Sequence, residues 1–324
     1  MKSSAIPYLS PAQTEALKKL RPILKLATSA VRPALNLPTR VHTLLTGPSG
    51  SGKSFLARAL AKEAGVPIWE GNVSTWIVLG ARSANPTLAA LVEWIHKTPQ
   101  GVIFLDELEK PFPANSGGNS GGSSGAIGEW FNSVKMELHE LLDGRVPDAA
   151  IHVDDETMNQ TYNGELSARE CRSLIKHDVE RKLKTSFMVI GAGTWQHLWT
   201  ETGSTIGFNS AAHSVLSIDH HRLTKSISPE ILLRFRQQVL FLRPMAESDF
   251  HDVLTAQLGM IAEPQRRRYA ELVLRAIPRA IEFGLGMRIF EEVYTDFCVE
   301  VLQNSHPNER SLREALVGKM PDLI

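Results

Sequence analysis

Cysteine, long apolar runs and an excess of charge of either sign are all scarce or missing in this chain of 324 residues. Its two cysteines, Cys171 and Cys298, are too few for a disulfide framework or a four-thiolate zinc site, which favours a reducing compartment. No apolar run approaches the roughly 18 residues that a membrane-spanning helix requires. The first residues, MKSSAIPYLSPAQ, also lack the apolar region of a secretory signal. We therefore expect a soluble, cytoplasmic protein that does not cross a membrane.

Charge is balanced, because Lys+Arg and Asp+Glu both total 35 residues. This balance argues against a bulk basic surface for nucleic acid, although a local basic patch is compatible with it. Apolar residues make up 43% and charged residues 22% of the chain, as in an ordinary globular protein. A chain of this length is expected to bury a large core and to form two domains or subdomains.

Apolar runs alternate with helical patterns over most of the chain. The runs RVHTLLTG, GVIFLDE and SFMVIGAG predict buried strands, and segments with helical spacing lie between them. An N-terminal helix is predicted after Ser10 and Pro11. The predicted fold class is α/β, with this helix and a parallel sheet covered by helices on both faces in residues 1–243. From about Pro244 onward all patterns are helical, which predicts a small all-α domain in residues 244–324.

Two segments stand out by composition. Residues 113–128, PANSGGNSGGSSGAIG, are rich in glycine and serine and predict a mobile surface loop. The long segment 147–185 contains acids that could ligate a metal but are more typical of a solvated loop. These acids are Asp154, Asp155 and Glu156. His220 and His221 are adjacent, which suits chelation of one ion poorly, so we expect a surface or pore-facing loop there.

The segment GPSGSGKS lies between a predicted strand and a predicted helix and fits the phosphate-binding pattern G-x-x-x-x-G-K-[ST]. Its glycines allow backbone N–H groups to close around phosphate oxygens at the positive end of the helix. Lys53 is expected to reach the β- and γ-phosphates, and the Ser54 hydroxyl to bind Mg²⁺. The predicted ATP-binding residues are Gly47, Pro48, Ser49, Gly50, Ser51, Gly52, Lys53, Ser54 and Phe55.

The apolar run VIFLDE ends in two acids, Asp106 and Glu107. At the end of a buried strand, Asp106 is placed to hold Mg²⁺ together with Ser54. Glu107 is placed to orient and polarise the attacking water. The pair therefore predicts hydrolysis rather than passive binding.

Departure of the γ-phosphate requires positive charge, which arginines supply in many such sites. SPEILLRFRQQ offers Arg234 and Arg236, and GLGMRIFEE offers Arg288 at the start of a helix. Taken singly, each arginine is more typical of a surface salt bridge. Their order after the phosphate-binding loop and the acid pair favours a catalytic role.

Over roughly residues 40–300 the sequence resembles the AAA+ ATPases, and among them the ClpX-like unfoldases. GPSGSGKS is similar to their Walker A motif, VIFLDELEK to their Walker B motif with its continuation, and ELLDGRV to a helix end of that group. The resemblance implies that Arg234 in PEILLRF is an arginine finger that reaches the ATP of a neighbouring subunit. It also implies a sensor-2 role for Arg288 in GMR and a sensor-1 contact for Thr194 in VIGAGTW. Such proteins form rings, usually hexamers.

The resemblance assigns a partner to the loop ETGSTIGF. ClpX-like unfoldases dock an Ile-Gly-Phe tripeptide into apolar clefts of the ClpP peptidase, and here Ile206, Gly207 and Phe208 occupy that position. Two exposed apolar anchors on a flexible loop suit such a pocket. The alternative is that Ile206 and Phe208 pack onto their own domain or onto a neighbouring subunit.

Between the helix after the phosphate-binding loop and the acid pair lies VSTWIVLG. ClpX-like proteins carry an aromatic-aliphatic-glycine loop here, which grips a polypeptide during translocation. A buried strand is the alternative interpretation of WIVL. The predicted pore residues are Trp76, Ile77, Val78, Leu79 and Gly80.

These motifs together predict an ATP-hydrolysing, homo-oligomeric ring motor that pulls a protein substrate through an axial pore and could feed a ClpP-like peptidase. Nucleic acid is not an expected partner. Two other classes remain open: a DNA-acting AAA+ ATPase, such as a helicase loader or transposition helper, and a nucleotide-dependent assembly switch.

Overall fold

A computed structural model of the protein describes residues 9–34, 41–80, 86–111, 126–153, 166–195, 227–235 and 239–304. The predicted peptidase-binding loop at Ile206, Gly207 and Phe208 lies outside these residues. So do most of the glycine- and serine-rich segment, the acids of residues 154–156 and the paired histidines.

A five-stranded parallel sheet forms the centre of the large domain. The strands are β1 (Thr43–Thr46), β2 (Ile68–Asn72), β3 (Gly101–Asp106), β4 (Phe187–Gly193) and β5 (Val239–Phe241). Their order is β2-β3-β4-β1-β5, so β1 lies inside the sheet and is followed by the phosphate-binding loop. The carboxyl ends of β1, β3 and β4 therefore meet at one edge, which is where parallel sheets bind ligands.

Helices cover both faces of the sheet and then form a separate bundle. Those of the large domain are α1 (Pro11–Ala27), α2 (Lys53–Ala64), α3 (Val73–Gly80), α4 (Pro86–Lys97), α5 (Ala126–Leu142), α6 (Ala168–Thr185) and α7 (Pro229–Arg234). Those of the bundle, here called the lid, are α8 (Glu247–Leu258), α9 (Glu263–Glu282) and α10 (Arg288–Asn304).

Alternation along the strands divides the large domain's core into two layers. In β3, Val102 and Phe104 pack on the side of α1 and α2, whereas Ile103 and Leu105 pack on the side of α3, α4, α5 and α6. Successive side chains of a strand point to opposite faces, so a continuous apolar run serves both layers. The lid has its own core around Phe250, Tyr269 and Phe297.

The predicted α/β class is confirmed, with helices on both faces of a parallel sheet. Ser10 caps α1 as predicted, since its side chain accepts a hydrogen bond from the Gln13 N–H. No helix among the described residues is long and apolar enough to cross a membrane.

One expectation is wrong about secondary structure. Residues 76–80, predicted as a pore loop with a buried strand as the alternative for WIVL, lie in the helix α3. Trp76 lies in this helix with only 1% of its surface exposed, and its indole Nε1 donates to Glu137 of α5 at 2.8 Å. Because Trp76 anchors α3 in the core, its side chain is not available to grip a polypeptide. Ile77 is also buried, whereas Val78 and Leu79 are exposed.

Candidate active site

The phosphate-binding loop connects β1 to the start of α2. In the structure the Lys53 ammonium donates to the carbonyl oxygens of Gly47 at 2.8 Å and Pro48 at 3.0 Å. Burial lowers the pKa of Lys53, the carboxylates of Asp106 and Glu109 oppose that effect, and the Arg288 guanidinium adds to it. The Lys53 ammonium therefore lies against the phosphate-binding loop, among charged side chains gathered at the carboxyl edge of the sheet.

The Ser54 hydroxyl donates to Asp106 Oδ2 at 3.1 Å. Ser54 belongs to the first turn of α2 and Asp106 to the last position of β3, so the β1–β4–β3 sheet order brings them together. A hydroxyl and a carboxylate oxygen are ligands that Mg²⁺ prefers. These two residues would hold the ion, as the sequence predicts.

Glu107 lies immediately beyond β3 with a backbone φ of 56°. This left-handed conformation is uncommon for a residue with a Cβ, and such strain concentrates at functional sites. The Glu107 N–H donates to Asp106 Oδ1 at 2.9 Å, and its carboxylate accepts a hydrogen bond from the Ser74 hydroxyl near the start of α3. The candidate base is therefore connected directly to α3.

Thr194 follows β4 and faces the same edge of the sheet. Its hydroxyl donates to Glu109 Oε1 at 2.9 Å. The other oxygen of Glu109 is buried and has no hydrogen-bond partner among the described residues. Thr194 is thus connected to the acidic segment after β3, at the place predicted for a sensor-1 contact.

A cavity of about 570 Å³ lies between the phosphate-binding loop and the lid. Lys53, Ser54, Asp106, Glu107 and Thr194 line it from the large domain, with Phe55 and Arg58 from α2. The lid contributes Gln257, Ile261, Tyr269, Arg288, Phe290 and Tyr294. The structure therefore brings Arg288 to the same cavity as the phosphate-binding loop and the acid pair.

The lid also contacts the phosphate-binding loop through its backbone. The Met287 N–H, immediately before α10, donates to the Gly50 carbonyl at 2.8 Å. A Cβ at Gly50 would overlap the Leu285 carbonyl, and a Cβ at Gly286 would overlap the Gly50 carbonyl. Two glycines allow these backbones to touch, which connects the position of Arg288 to the shape of the loop.

Arg234 does not line this cavity. It ends α7, and its guanidinium donates to Asp143 Oδ2 at 3.0 Å and to the Glu230 carbonyl at 3.0 Å. The Arg234 Nε is buried without a hydrogen-bond partner among the described residues. An arginine finger acts on a neighbouring subunit, so the role of Arg234 stays a prediction.

The cavity suits a nucleotide with its metal ion. Its volume falls within the roughly 300–1,000 Å³ of small-ligand sites. It combines a lysine and an arginine for phosphates, oxygen ligands for Mg²⁺ and the apolar rings of Phe290 and Tyr294. No group of three or more His, Cys, Asp or Glu side chains that could hold a further metal occurs in the described part of the chain.

Several residues of the site were missed by sequence reasoning. Ser74 and Glu109 touch predicted site residues, and Gln257 and Tyr269 line the cavity, where the Tyr269 hydroxyl donates to Gln257 at 2.6 Å. Only Arg58 carried a usable signal, because it lies four positions after Ser54 on α2 and therefore on the same helix face.

Comparison with known proteins identifies the nucleotide-binding region. Residues 43–195 match the model of the ATPase family associated with various cellular activities, AAA. This stretch, a little under half of the chain, is similar to AAA ATPase domains, whose reaction is ATP hydrolysis. The α1 helix, β5 and the lid lie outside the matched residues.

Relatives of this chain include ATP-dependent zinc metalloproteases named FtsH. FtsH 1 of Symbiobacterium thermophilum is 34% identical over 95 residues, which are 29% of this chain and 16% of that protein. FtsH 1 of Sorangium cellulosum is 32% identical over 99 residues (31% and 15%), and FtsH of Lactococcus lactis is 35% identical over 100 residues (31% and 14%). The chain thus matches only a small part of these relatives' length. They support an AAA+ ATPase domain, while the closer resemblance to ClpX-like unfoldases stays a prediction.

Proposed function

We propose that this chain is one subunit of an ATP-driven ring motor that unfolds or remodels protein substrates. The observation that carries the proposal is the cavity shared by the phosphate-binding loop, the acid pair and the lid. A nucleotide in this cavity touches both domains, so its hydrolysis changes the contacts that hold the lid against the sheet. Such a change of angle is the step that does mechanical work.

The proposed reaction transfers the γ-phosphoryl group to water. Ser54 and Asp106 would hold Mg²⁺, which supplies positive charge to the phosphate oxygens. Glu107 orients the attacking water and accepts its proton. Lys53 and Arg288, which line the cavity, stabilise the negative charge that develops on the phosphoryl oxygens.

A protein substrate is favoured by the relatives and by α3. The FtsH relatives are by name ATP-dependent proteases, which act on polypeptides. In this chain Val78 and Leu79 are exposed at the end of α3, whose start holds Glu107 through Ser74. We propose that this exposed pair, rather than Trp76, contacts the polypeptide, because a movement of Glu107 would reach it along the helix.

The motor is proposed to be a homo-oligomeric ring, most simply a hexamer, in the cytoplasm. Arg234 would complete the active site of the neighbouring subunit. We keep Ile206, Gly207 and Phe208 as the proposed contact with a ClpP-like peptidase, on the resemblance of the loop's sequence alone. The DNA-acting ATPase and the assembly switch are the outcomes against which the proposal is tested.

The deciding experiment combines ATPase stimulation with a substrate trap. Glu107→Gln should bind ATP and turn over at least about 100-fold more slowly, because the water loses its base. With ATP it should retain an unfolded polypeptide such as reduced casein. The wild-type ATPase should be stimulated by the same polypeptide and not by single- or double-stranded DNA.

Three further variants complete the test of a polypeptide substrate. Lys53→Ala should not bind ATP and should retain nothing. Val78→Ser combined with Leu79→Ser should lose the polypeptide stimulation, whereas Leu302→Ser, which alters another exposed leucine on α10, should keep it. Stimulation and retention by DNA alone would replace the proposal with a DNA-acting ATPase. A slow ATPase that responds to neither polymer would favour an assembly switch. Loss of peptidase binding in Phe208→Ala would test the ClpP-like partner separately.

A further inference from the structure

The first turn of α1 reaches the phosphate-binding loop from outside the matched AAA domain. The Gln13 amide Nε2 donates to the Ser51 carbonyl at 3.0 Å, although the two residues are 38 positions apart in sequence. The Gln13 side chain is fully buried. We propose that Gln13 is a positioning residue that sets the conformation of the phosphate-binding loop for nucleotide binding.

Gln13 is itself held in place by the cap of α1. Its Oε1 accepts from the Ser10 N–H at 2.9 Å, and its own N–H donates to the Ser10 hydroxyl at 3.3 Å. The Ser10 N–H only donates and the Ser51 carbonyl only accepts, so these two partners determine which way the amide points. The rest of α1 packs its apolar face, including Leu17, Leu20 and Leu24, against the sheet and α2. The amide is therefore presented to the loop by a rigid element.

The direction of the Ser51 carbonyl matters because of peptide geometry. In a trans peptide unit the C=O of one residue and the N–H of the next point in opposite directions. When Gln13 binds the Ser51 carbonyl on the α1 side, the Gly52 N–H is turned to the opposite side of the loop, where Gly52 lines the cavity. An N–H directed into the cavity is the group that a phosphate-binding loop needs.

Gly52 provides the space for this contact. Its φ is 80°, and a Cβ at this position would overlap the Gln13 amide. The second glycine of the motif therefore serves the approach of α1 as well as the turn of the loop. The lid holds the neighbouring peptide, because the Met287 N–H donates to the Gly50 carbonyl. The lid and α1 therefore bind two consecutive carbonyls of the loop, those of Gly50 and Ser51.

The chain permits a test that separates this contact from the stability of α1. In Gln13→Glu, a carboxylate oxygen still accepts from the Ser10 N–H, since Ser-x-x-Glu is itself a capping box. The other carboxylate oxygen faces the Ser51 carbonyl without a proton to donate. We expect the KM for ATP and the Kd for ADP to rise by about 10-fold, because a buried hydrogen bond is replaced by repulsion. The kcat at saturating ATP should stay within about 2-fold of the wild type, because a bound nucleotide restores the loop.

Ser167→Ala is the matched control. It removes the hydroxyl of the corresponding capping box on α6, where Ser167 accepts from the Glu170 N–H and does not line the cavity. It should lower the midpoint of thermal unfolding by a few degrees and leave the KM for ATP unchanged. Gln13→Met is the second variant, which keeps the length of the side chain without charge, and it should also raise the KM.

The inference rests on nucleotide binding by the loop and does not depend on the proposed substrate. Wild-type KM and Kd in both Gln13 variants would overturn it, as would lower thermal stability without a change in either constant. If the wild type binds ADP no better than Lys53→Ala does, the assignment of the nucleotide site is wrong, and the inference about Gln13 is wrong with it. If nucleotide binding is intact but no polypeptide stimulates the ATPase, only the proposed function is contradicted.

Discussion

Two side chains near the candidate active site, Glu107 and Trp76, are held in fixed positions, one by a strained backbone and the other by burial. Glu107 adopts a left-handed backbone conformation, and its carboxylate accepts a hydrogen bond from the Ser74 hydroxyl, which holds the carboxylate in one direction. Two residues further along the same short helix, the Trp76 indole N–H donates to the buried carboxylate of Glu137. The first half of α3 is therefore held by polar contacts whose partners lie far away in sequence.

Glu137 provides a prediction at this scale. Desolvation raises its pKa from the ordinary 4.5, although hydrogen bonds from Trp76 and Ser133 lower it and Glu140 raises it further. An acid with a raised folded-state pKa stabilises the fold below the unfolded pKa, and this contribution is lost as the pH rises through the folded pKa. Glu137→Gln should therefore gain free energy of unfolding relative to the wild type as the pH rises from about 4.5 towards neutrality.

Chemical denaturation at several pH values measures this difference. A difference between Glu137→Gln and the wild type that stays constant with pH would show that Glu137 does not titrate differently on folding.

At the scale of elements, the contact between the lid and the phosphate-binding loop depends on two backbones that touch. Gly286 has a φ of 55° and its Cβ position is occupied by the Gly50 carbonyl, whereas Gly65 has a φ of 66° and open space around its Cβ position. At either position, an alanine would have to adopt a strained left-handed backbone conformation. Of the two, only an alanine at position 286 would also collide with the phosphate-binding loop, at the Gly50 carbonyl.

This pair gives a second prediction. Gly65→Ala should lower the free energy of unfolding by roughly 1 kcal/mol and leave the KM for ATP unchanged. Gly286→Ala should lower it at least as much and also raise the KM several-fold, because the lid is displaced from the loop and carries Arg288 with it. Steady-state kinetics beside denaturation separates the two effects. Equal KM values in both variants would show that the lid contact is not needed for nucleotide binding.

At the scale of the whole molecule, the isolated chain leaves Arg234 bound to its own Asp143, outside its own cavity. A ring would allow this arginine to act on the next subunit. In that case the active site is shared between two chains, and the ATPase rate per subunit should rise with protein concentration as rings form.

Mixing two inactive variants tests this sharing. Arg234→Ala keeps its own phosphate-binding loop but lacks the arginine, and Lys53→Ala keeps the arginine but lacks the lysine. Each alone should lose most ATPase activity, and their mixture should regain part of it at interfaces that combine an intact loop with an intact arginine. A mixture no more active than its components would place the action of Arg234 within its own chain.

Local patterns sufficed for much of this structure. The phosphate-binding loop, the acid pair, the capped α1 and the buried strands β1, β3 and β4 were all predicted, because each depends on neighbours within a few residues. The strand β2 was not predicted, since IWEGN lies at the edge of the sheet, is only partly buried and includes poor strand formers. For α3, the apolar run WIVL was compatible with strand, loop or helix, and periodicity alone does not decide over so short a stretch.

The amino-acid sequence by itself determined the α/β class and indicated the nucleotide chemistry and the residues proposed to carry it, because glycine, lysine and carboxylates at these spacings permit few other uses. Tertiary structure alone decided which distant groups meet: Gln13 with Ser51, Trp76 with Glu137, and Arg234 with Asp143, separated by 38, 61 and 91 positions. Hydrogen bonds within helices, caps and turns join residues near in sequence, so local patterns reveal them. Contacts across the core depend on how whole elements pack, and no local pattern encodes that.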